Sequence, residues 1–93
     1  MLPKDMRVAQ RNSAGNRLRV TREELGMSLR DVQRASAYIA RELRNRNFAI
    51  PSSRLHFYET SKSTPNIYRL YTLARLYGRK LSDVLAWYGV PTR

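Results

Sequence analysis

One repeat of apolar and small residues constrains the fold of this chain more than any other feature. Its members recur in steps of three and four without a break, and they are Leu29, Val32, Ser36, Ile39 and Leu43. This spacing puts all of them on one face of an α-helix, which turns once in about 3.6 residues. The repeat therefore predicts one long second helix that runs from Leu29 to about Arg44.

Start and stop signals around this repeat predict further helices. Gly26 ends a first helix over Arg17–Leu25. Ser28 caps the second helix, and Asp31 completes a capping box three residues on. Pro51 favours the start of a third helix, because it fixes its own backbone and moves the preceding residue out of the helical region. The inward face of the first helix is predicted to hold Leu18, Thr21, Arg22 and Leu25.

Two more helices complete an all-α fold, since no segment has the alternation of a strand. Asn66 caps a fourth helix, which Gly78 stops, and Gly89 stops a short fifth one. The apolar face of the fourth helix is Ile67, Leu70, Tyr71, Leu73, Ala74 and Tyr77. That of the fifth is Leu81, Val84, Leu85 and Tyr88. Three more apolar residues are predicted to pack on the core from the connections: Met27, Phe48 and Ile50.

Ninety-three residues, 42% of them apolar, are enough for a single domain with a modest core. We predict a helical domain over residues 17–90 and a short tail over residues 91–93. Residues 1–16 contain Pro3, Gly15 and several cations but little periodicity. They predict a basic flexible N-terminal arm, which is either simply mobile or also follows a phosphate backbone.

The charge is the strongest indication of function. Eighteen Lys and Arg stand against seven Asp and Glu, which gives a net charge of +11. Fifteen of the cations are arginine, whose planar guanidinium donates paired hydrogen bonds to phosphate and to guanine. A polyanion is therefore the expected partner, although acidic proteins and anionic lipid surfaces attract the same charge.

Composition also argues against several classes of protein. The chain has no cysteine and one histidine, so neither disulfides nor a metal centre is expected. It shows no membrane-spanning run and no signal peptide, which predicts a cytoplasmic protein without a membrane partner. If its polyanion partner is DNA, we expect the protein to be nucleoid-associated. Asp5, Asp31 and Asp83 fall in separate elements, and no nucleophile–base pair is evident. We therefore expect no enzyme activity and no cofactor.

Two local features have alternative interpretations. Arg41, Arg44 and Arg46 form the densest basic patch, and they are either a solvated helix end or contacts to phosphate. Trp87, the largest side chain, either packs at a helix junction or lies in the contact between two copies of the chain.

The order of these segments resembles the Xre-type family, the phage-repressor and Cro-like helix-turn-helix proteins. Arg17–Arg19 and Arg22–Val32 resemble the first helix and the opening of the second. Ile50–Leu55 followed by Tyr58-Glu59 resembles the recognition helix. The fourth helix of the family is resembled by Pro65 followed by Leu70, Leu73, Ala74 and Leu76. The resemblance implies a five-helix λ-repressor-like domain that binds duplex DNA in the major groove, usually as a homodimer.

The resemblance also implies where DNA would be contacted. Ser52, Ser53 and Phe57 fall where the family reads base edges, and Arg54 and His56 lie beside them. Helix 52–60 would thus enter the major groove.

Phosphate contacts are implied at three places. Ser28, Leu29 and Arg30 open the second helix, where the family clamps phosphate. The clamp on the opposite side would be formed by Thr60, Lys62, Ser63 and Thr64. The basic patch of Arg41, Arg44 and Arg46 would add further contacts. In addition, Arg22 and Glu59 fall where the family often has an ion pair, the alternative being two solvated charges.

The chain departs from the family pattern at several positions. Residues 37–49 are an insertion, expected to lengthen the second helix by roughly three turns, about 18 Å, and to supply either phosphate contacts or a dimer surface. Leu29 can offer phosphate only its backbone N–H, and Pro51 cannot cap with a side chain. Phe57 cannot hydrogen-bond to a base, so it either touches a thymine methyl or turns into the core.

Three functions are compatible with these observations. The first is a sequence-specific DNA-binding regulator, most simply a repressor. The second is an antitoxin that holds a protein partner and represses its own operon. The third is a small RNA-binding protein, which the charge permits but the lack of a stacking sheet disfavours.

Overall fold

The computed structural model describes the backbone of residues 4–92 and the side chains of residues 14–92. This part of the chain forms helices and connections, without a strand, so the predicted all-α class is confirmed. The helices are α1 (Lys4–Glu24), α2 (Leu29–Glu42), α3 (Ser52–Thr60), α4 (Ile67–Leu76) and α5 (Leu81–Trp87), with a 3₁₀ turn over Arg46–Phe48. None of the described helices is both long enough and apolar enough to cross a membrane.

The core contains one side chain or more from each of α1 to α4 and from the connection before α3. Its buried members are Leu18, Val32, Ile50, Leu55, Tyr58, Leu73 and Tyr77. A second cluster joins α4 to α5 and consists of Leu70, Ala74 and Val84. Met27 packs against the core as predicted, and Trp87 packs there as in the first of its two interpretations. The prediction for Phe48 is wrong, because its half-buried ring belongs to neither core cluster.

Four residues assigned to apolar helix faces are exposed instead. Leu43, the last member of the repeat, follows α2 as its C-cap and is 40% exposed. Leu25 lies in the turn after α1, outside the helix whose face it was assigned to. Ile67 and Tyr71 lie on α4 beside its buried strip, where no other helix covers them.

The first helix is longer than predicted, because α1 begins at Lys4 rather than Arg17. Residues 4–16 are therefore helical, which corrects the predicted start of the first helix, while the mobility of the arm stays a prediction. The prediction took Gly15 as a sign of an irregular segment. Gly15 is buried, and a Cβ there would lie 2.8 Å from the carbonyl oxygens of both Tyr58 and Glu59, so glycine permits close packing of α1 on α3. Residues 1–3 lie outside the described part of the chain. So do the cationic side chains of the arm, which were predicted as one alternative to follow a phosphate backbone.

The second helix begins as predicted. The Ser28 hydroxyl accepts the Asp31 N–H at 3.0 Å, and the Ser28 N–H donates to the Asp31 carboxylate at 2.8 Å. This reciprocal capping box satisfies two N–H groups that have no partner within the helix. The hydrogen bonds also lower the pKa of the Asp31 carboxyl below its ordinary value.

The insertion does not lengthen α2 by three turns, because the helix ends at Glu42. Only residues 37–42 are helical, which adds about 9 Å rather than about 18 Å. Arg44 then adopts a left-handed conformation with φ 54°, and the Asn45 N–H donates to the Ala40 carbonyl at 2.9 Å. This closure turns the chain back towards the core, where Ile50 is fully buried.

Candidate nucleic-acid interface

The third helix divides its side chains sharply between core and surface. Leu55, Tyr58 and Glu59 are buried, and Ser52 is half-buried. The exposed side chains are Ser53, Arg54, His56, Phe57 and Thr60. Apart from Thr60, these were all predicted to read bases. They present a hydroxyl, a guanidinium, an imidazole and a phenyl ring on one short helix.

Phe57 faces outward rather than into the core, and 46% of its surface is exposed. The Arg54 guanidinium carbon lies 5.6 Å from the centre of the Phe57 ring, within the range of a cation–π contact. The two residues are one helical turn apart, so α3 itself sets their spacing. They offer a cation and an apolar ring side by side.

The start of α3 is held by α2, through a residue that sequence reasoning missed. Pro51 has no side-chain cap to offer, and the Ser52 N–H donates instead to the Gln33 side-chain oxygen at 2.6 Å. Next to it, the Ile50 N–H donates to the Ser36 hydroxyl at 2.8 Å. The one available sequence signal was the uncapped N–H group that Pro51 leaves at the helix start.

The end of α3 is held by α1, through the predicted ion pair of Arg22 and Glu59. Arg22 Nε and Nη2 donate to the two Glu59 carboxylate oxygens at 2.7 and 2.9 Å. Arg22 Nη1 also donates to the Met27 carbonyl at 2.9 Å. The Glu59 hydrogen bond raises the pKa of the Arg22 guanidinium. With side-chain exposures of 11% and 2%, the pair lies mostly out of water.

A third contact joins α4 to the last turn of α3 and to the connection before it. Arg69 Nη1 donates to the Tyr58 hydroxyl, and Arg69 Nε donates to the Ala49 carbonyl, both at 2.9 Å. The sequence contained no indication of this role, because the residues that Arg69 contacts lie 11 and 20 positions away. Together, Gln33 restrains α3 at its start, and Arg69 and Arg22 restrain it at two neighbouring residues of its last turn.

The residues predicted to clamp phosphate lie in three separate places. Arg41, Arg44 and Arg46 are exposed around the end of α2 and the 3₁₀ turn, and none is ion-paired with a described side chain. At the opposite end of α2, Ser28 and Arg30 are exposed, while Leu29 packs partly against the core.

The third place is the loop after α3. Thr60 is exposed, but its hydroxyl donates to the His56 carbonyl at 2.8 Å. A hydroxyl has one proton to donate and phosphate oxygens only accept, so Thr60 must rotate before it can bind phosphate. Lys62 and Thr64 are exposed, and Ser63 is half-buried with its N–H donated to Ser61 at 3.1 Å.

No protein-family model, curated protein or solved structure matches this chain. Its role must therefore be derived from its own side chains. On α3 they combine exposed hydrogen-bonding and apolar groups with a helix held at three points. Cations flank that helix in the preceding turn and in the following loop. This arrangement suits a rigid contact with a polyanion whose surface carries hydrogen-bonding edges.

Proposed function

We propose that this chain is a λ-repressor-like helix-turn-helix domain that binds duplex DNA by inserting α3 into the major groove. The observation that carries the proposal is the outward face of α3, which displays Ser53, Arg54, His56 and Phe57 while its other face is held in the core. The major groove of B-DNA admits an α-helix. A helix restrained at three points keeps its side chains in register with the base edges.

The side chains of α3 match the chemistry of base edges. Arg54 is suited to guanine, since its two parallel N–H donors fit the O6 and N7 acceptors. Phe57, one turn later, is suited to the methyl group of thymine. The serines and His56 can exchange single hydrogen bonds with either kind of pair. The proposed specificity therefore depends mainly on Arg54 and Phe57.

The net charge of +11 supplies the part of the affinity that does not depend on sequence. In the proposed complex Arg41, Arg44 and Arg46 bind phosphate on one side of the groove, and Lys62 binds it on the other. Such contacts release counterions, so binding weakens as salt rises. We infer that the protein acts as a transcriptional regulator, most simply a repressor, and as a homodimer on a two-fold site.

The first experiment is selection from a pool of random duplex DNA at near-physiological salt, followed by sequencing. Enrichment of a motif with two-fold symmetry is the expected result, and the spacing of its halves would give the geometry of the dimer. Salt-sensitive binding without any enriched motif would overturn sequence-specific recognition and leave only attraction to polyanions.

Alanine variants then separate base contacts from phosphate contacts. Arg54→Ala should weaken binding to the selected site by about 1–3 kcal/mol and binding to random duplex DNA much less. Arg44→Ala should weaken binding to the selected site and to random duplex DNA similarly. It should also reduce the slope of the logarithm of the binding constant against the logarithm of salt concentration by about one. Arg79→Ala is the matched control, because Arg79 is exposed after α4 and, like Arg44, makes no ion pair with a described side chain. Equal effects of all three variants would contradict the assigned interface.

A further inference from the structure

A second exposed surface, built of apolar side chains, lies away from α3. We call it the aromatic face, and it consists of Phe48, Ile67, Tyr68 and Tyr71. Ile67, Tyr68 and Tyr71 are exposed by 54%, 39% and 37% on the outer side of α4. The Phe48 ring centre lies 5.2 Å from that of Tyr68 and 5.5 Å from that of Tyr71. The four side chains thus form one continuous patch rather than scattered exposures.

The fold does not require this patch to be apolar. The strip of α4 that packs in the core is a different one, formed by Leu70, Leu73, Ala74 and Tyr77. The 3₁₀ turn is held through its backbone, because the Thr72 hydroxyl donates to the Phe48 carbonyl at 2.7 Å. The Phe48 ring itself is half-buried and forms the base of the patch, in edge contact with the more exposed Tyr68 and Tyr71 rings. Contiguous exposed apolar patches of this kind mark sites of interaction with other proteins.

Cations border the aromatic face. Arg75 lies one helical turn after Tyr71, and Arg46 begins the 3₁₀ turn that contains Phe48. Glu42 contributes a carboxylate that Arg75 holds with Nη2 at 2.8 Å, so these two charges offset each other and Arg46 gives the border its net positive charge. Tyrosine, phenylalanine and arginine are the residues enriched in the cores and hot spots of protein interfaces. A complementary surface would be apolar at its centre and acidic around it.

We propose that the aromatic face is a docking surface for an acidic protein segment, one that presents aromatic or aliphatic side chains beside Asp or Glu. A second copy of the chain fits less well at this face, since a two-fold contact here would bring the Arg46 and Arg75 side chains of one copy towards those of the other. Single-stranded nucleic acid also fits less well. The Tyr68 and Tyr71 rings meet Phe48 at 89° and 71°, so the rings form no series of parallel faces on which bases stack.

The test selects displayed random peptides against the full chain at near-physiological salt and measures the affinity of the enriched peptides by fluorescence anisotropy. Tyr71→Ala and Ile67→Ala remove apolar surface but keep every charge. Phe57→Ala is the matched control, because it removes a similarly exposed ring from α3. Thermal melting checks that each variant folds. On the same variants, sedimentation measures self-association, and binding of oligothymidylate measures the affinity for single-stranded DNA.

The expected peptides combine Asp or Glu with aromatic or aliphatic residues. Tyr71→Ala should weaken their binding about tenfold or more, and Phe57→Ala by less than about twofold. Tyr71→Ala should leave duplex-DNA binding unchanged. The proposal is overturned if no peptide is enriched, or if the peptides bind Tyr71→Ala as tightly as the wild type. It is also overturned if Tyr71→Ala instead abolishes self-association or oligothymidylate binding, which would identify the occupant as a second copy or a single strand.

Discussion

Arg22 and Glu59 lie 37 positions apart and hold each other through two hydrogen bonds of 2.7 and 2.9 Å. The pair joins α1 to the last turn of α3, at the end of the proposed recognition helix furthest from the Gln33 cap. Both side chains are largely removed from water, where an ionic group without its partner is costly. The orientation of α3 and the stability of the fold are therefore coupled at this point.

Glu59→Gln should lower the free energy of unfolding by about 3 kcal/mol, because it leaves the Arg22 guanidinium largely buried without a counter-charge. The matched control is Glu42→Gln, which breaks the half-exposed pair with Arg75 and should cost less than about 1 kcal/mol. Urea denaturation of the two variants measures both values. Equal costs would show that burial does not strengthen the Arg22–Glu59 pair.

Gly15→Ala should destabilise the protein, although alanine ordinarily stabilises a helix relative to glycine by about 1 kcal/mol. The added Cβ would lie 2.8 Å from two carbonyl oxygens of α3, and a backbone cannot move aside as a flexible side chain does. We expect a loss of about 1–3 kcal/mol by thermal denaturation. Asn16→Ala, at the exposed neighbouring position, should change stability by less than about 0.5 kcal/mol. A stabilised Gly15→Ala protein would contradict the close packing of α1 on α3.

Arg44→Gly should raise the free energy of unfolding by about 1 kcal/mol, because glycine adopts the left-handed conformation without strain from a Cβ. Arg44→Ala removes the same charge but keeps a Cβ, so its stability should stay close to that of the wild type. Comparing the two variants by chemical denaturation separates backbone strain from charge. Similar stability of both variants would assign the effect to the lost charge instead.

Tyr77→Phe should leave the protein as stable as the wild type or stabilise it by up to about 1 kcal/mol. The Tyr77 hydroxyl is buried without a hydrogen-bond partner among the described side chains, and burial raises the pKa of its phenol. The matched change is Tyr58→Phe, which removes the acceptor of Arg69 and should cost about 1–2 kcal/mol. Calorimetric melting distinguishes them, and a costly Tyr77→Phe would reveal a partner for that hydroxyl.

The capping box of α2 should make the free energy of unfolding depend on pH in the acidic range. The pKa of Asp31 is lower in the folded chain than its ordinary value of 3.8, so the carboxylate stabilises the fold above that value. This contribution is lost as the pH falls below 3.8 and through the lowered pKa, because the unfolded chain then binds more protons. Asp31→Asn should be less stable than the wild type at neutral pH, and the difference should shrink in acid. A difference that stays constant down to about pH 3 would contradict the assignment.

Local signals in the sequence determined the helices and most of their boundaries. The repeat from Leu29 to Leu43, the cap at Ser28 and the stop at Gly78 act over a few residues, so their effect can be read directly from the chain. The resemblance also predicted the pair of Arg22 and Glu59 that the structure contains.

Tertiary structure decided what depends on contacts between distant segments. Gly15 resembles a flexible position until α3 is found against it, and Arg69 resembles a surface cation until Ala49 and Tyr58 are found beside it. Gln33 likewise became a helix cap only where α2 meets the start of α3. The length of the insertion's helix was misjudged for a related reason. Burial of Ile50 requires the chain to turn back at Arg44, and periodicity within one segment contains no information about that return.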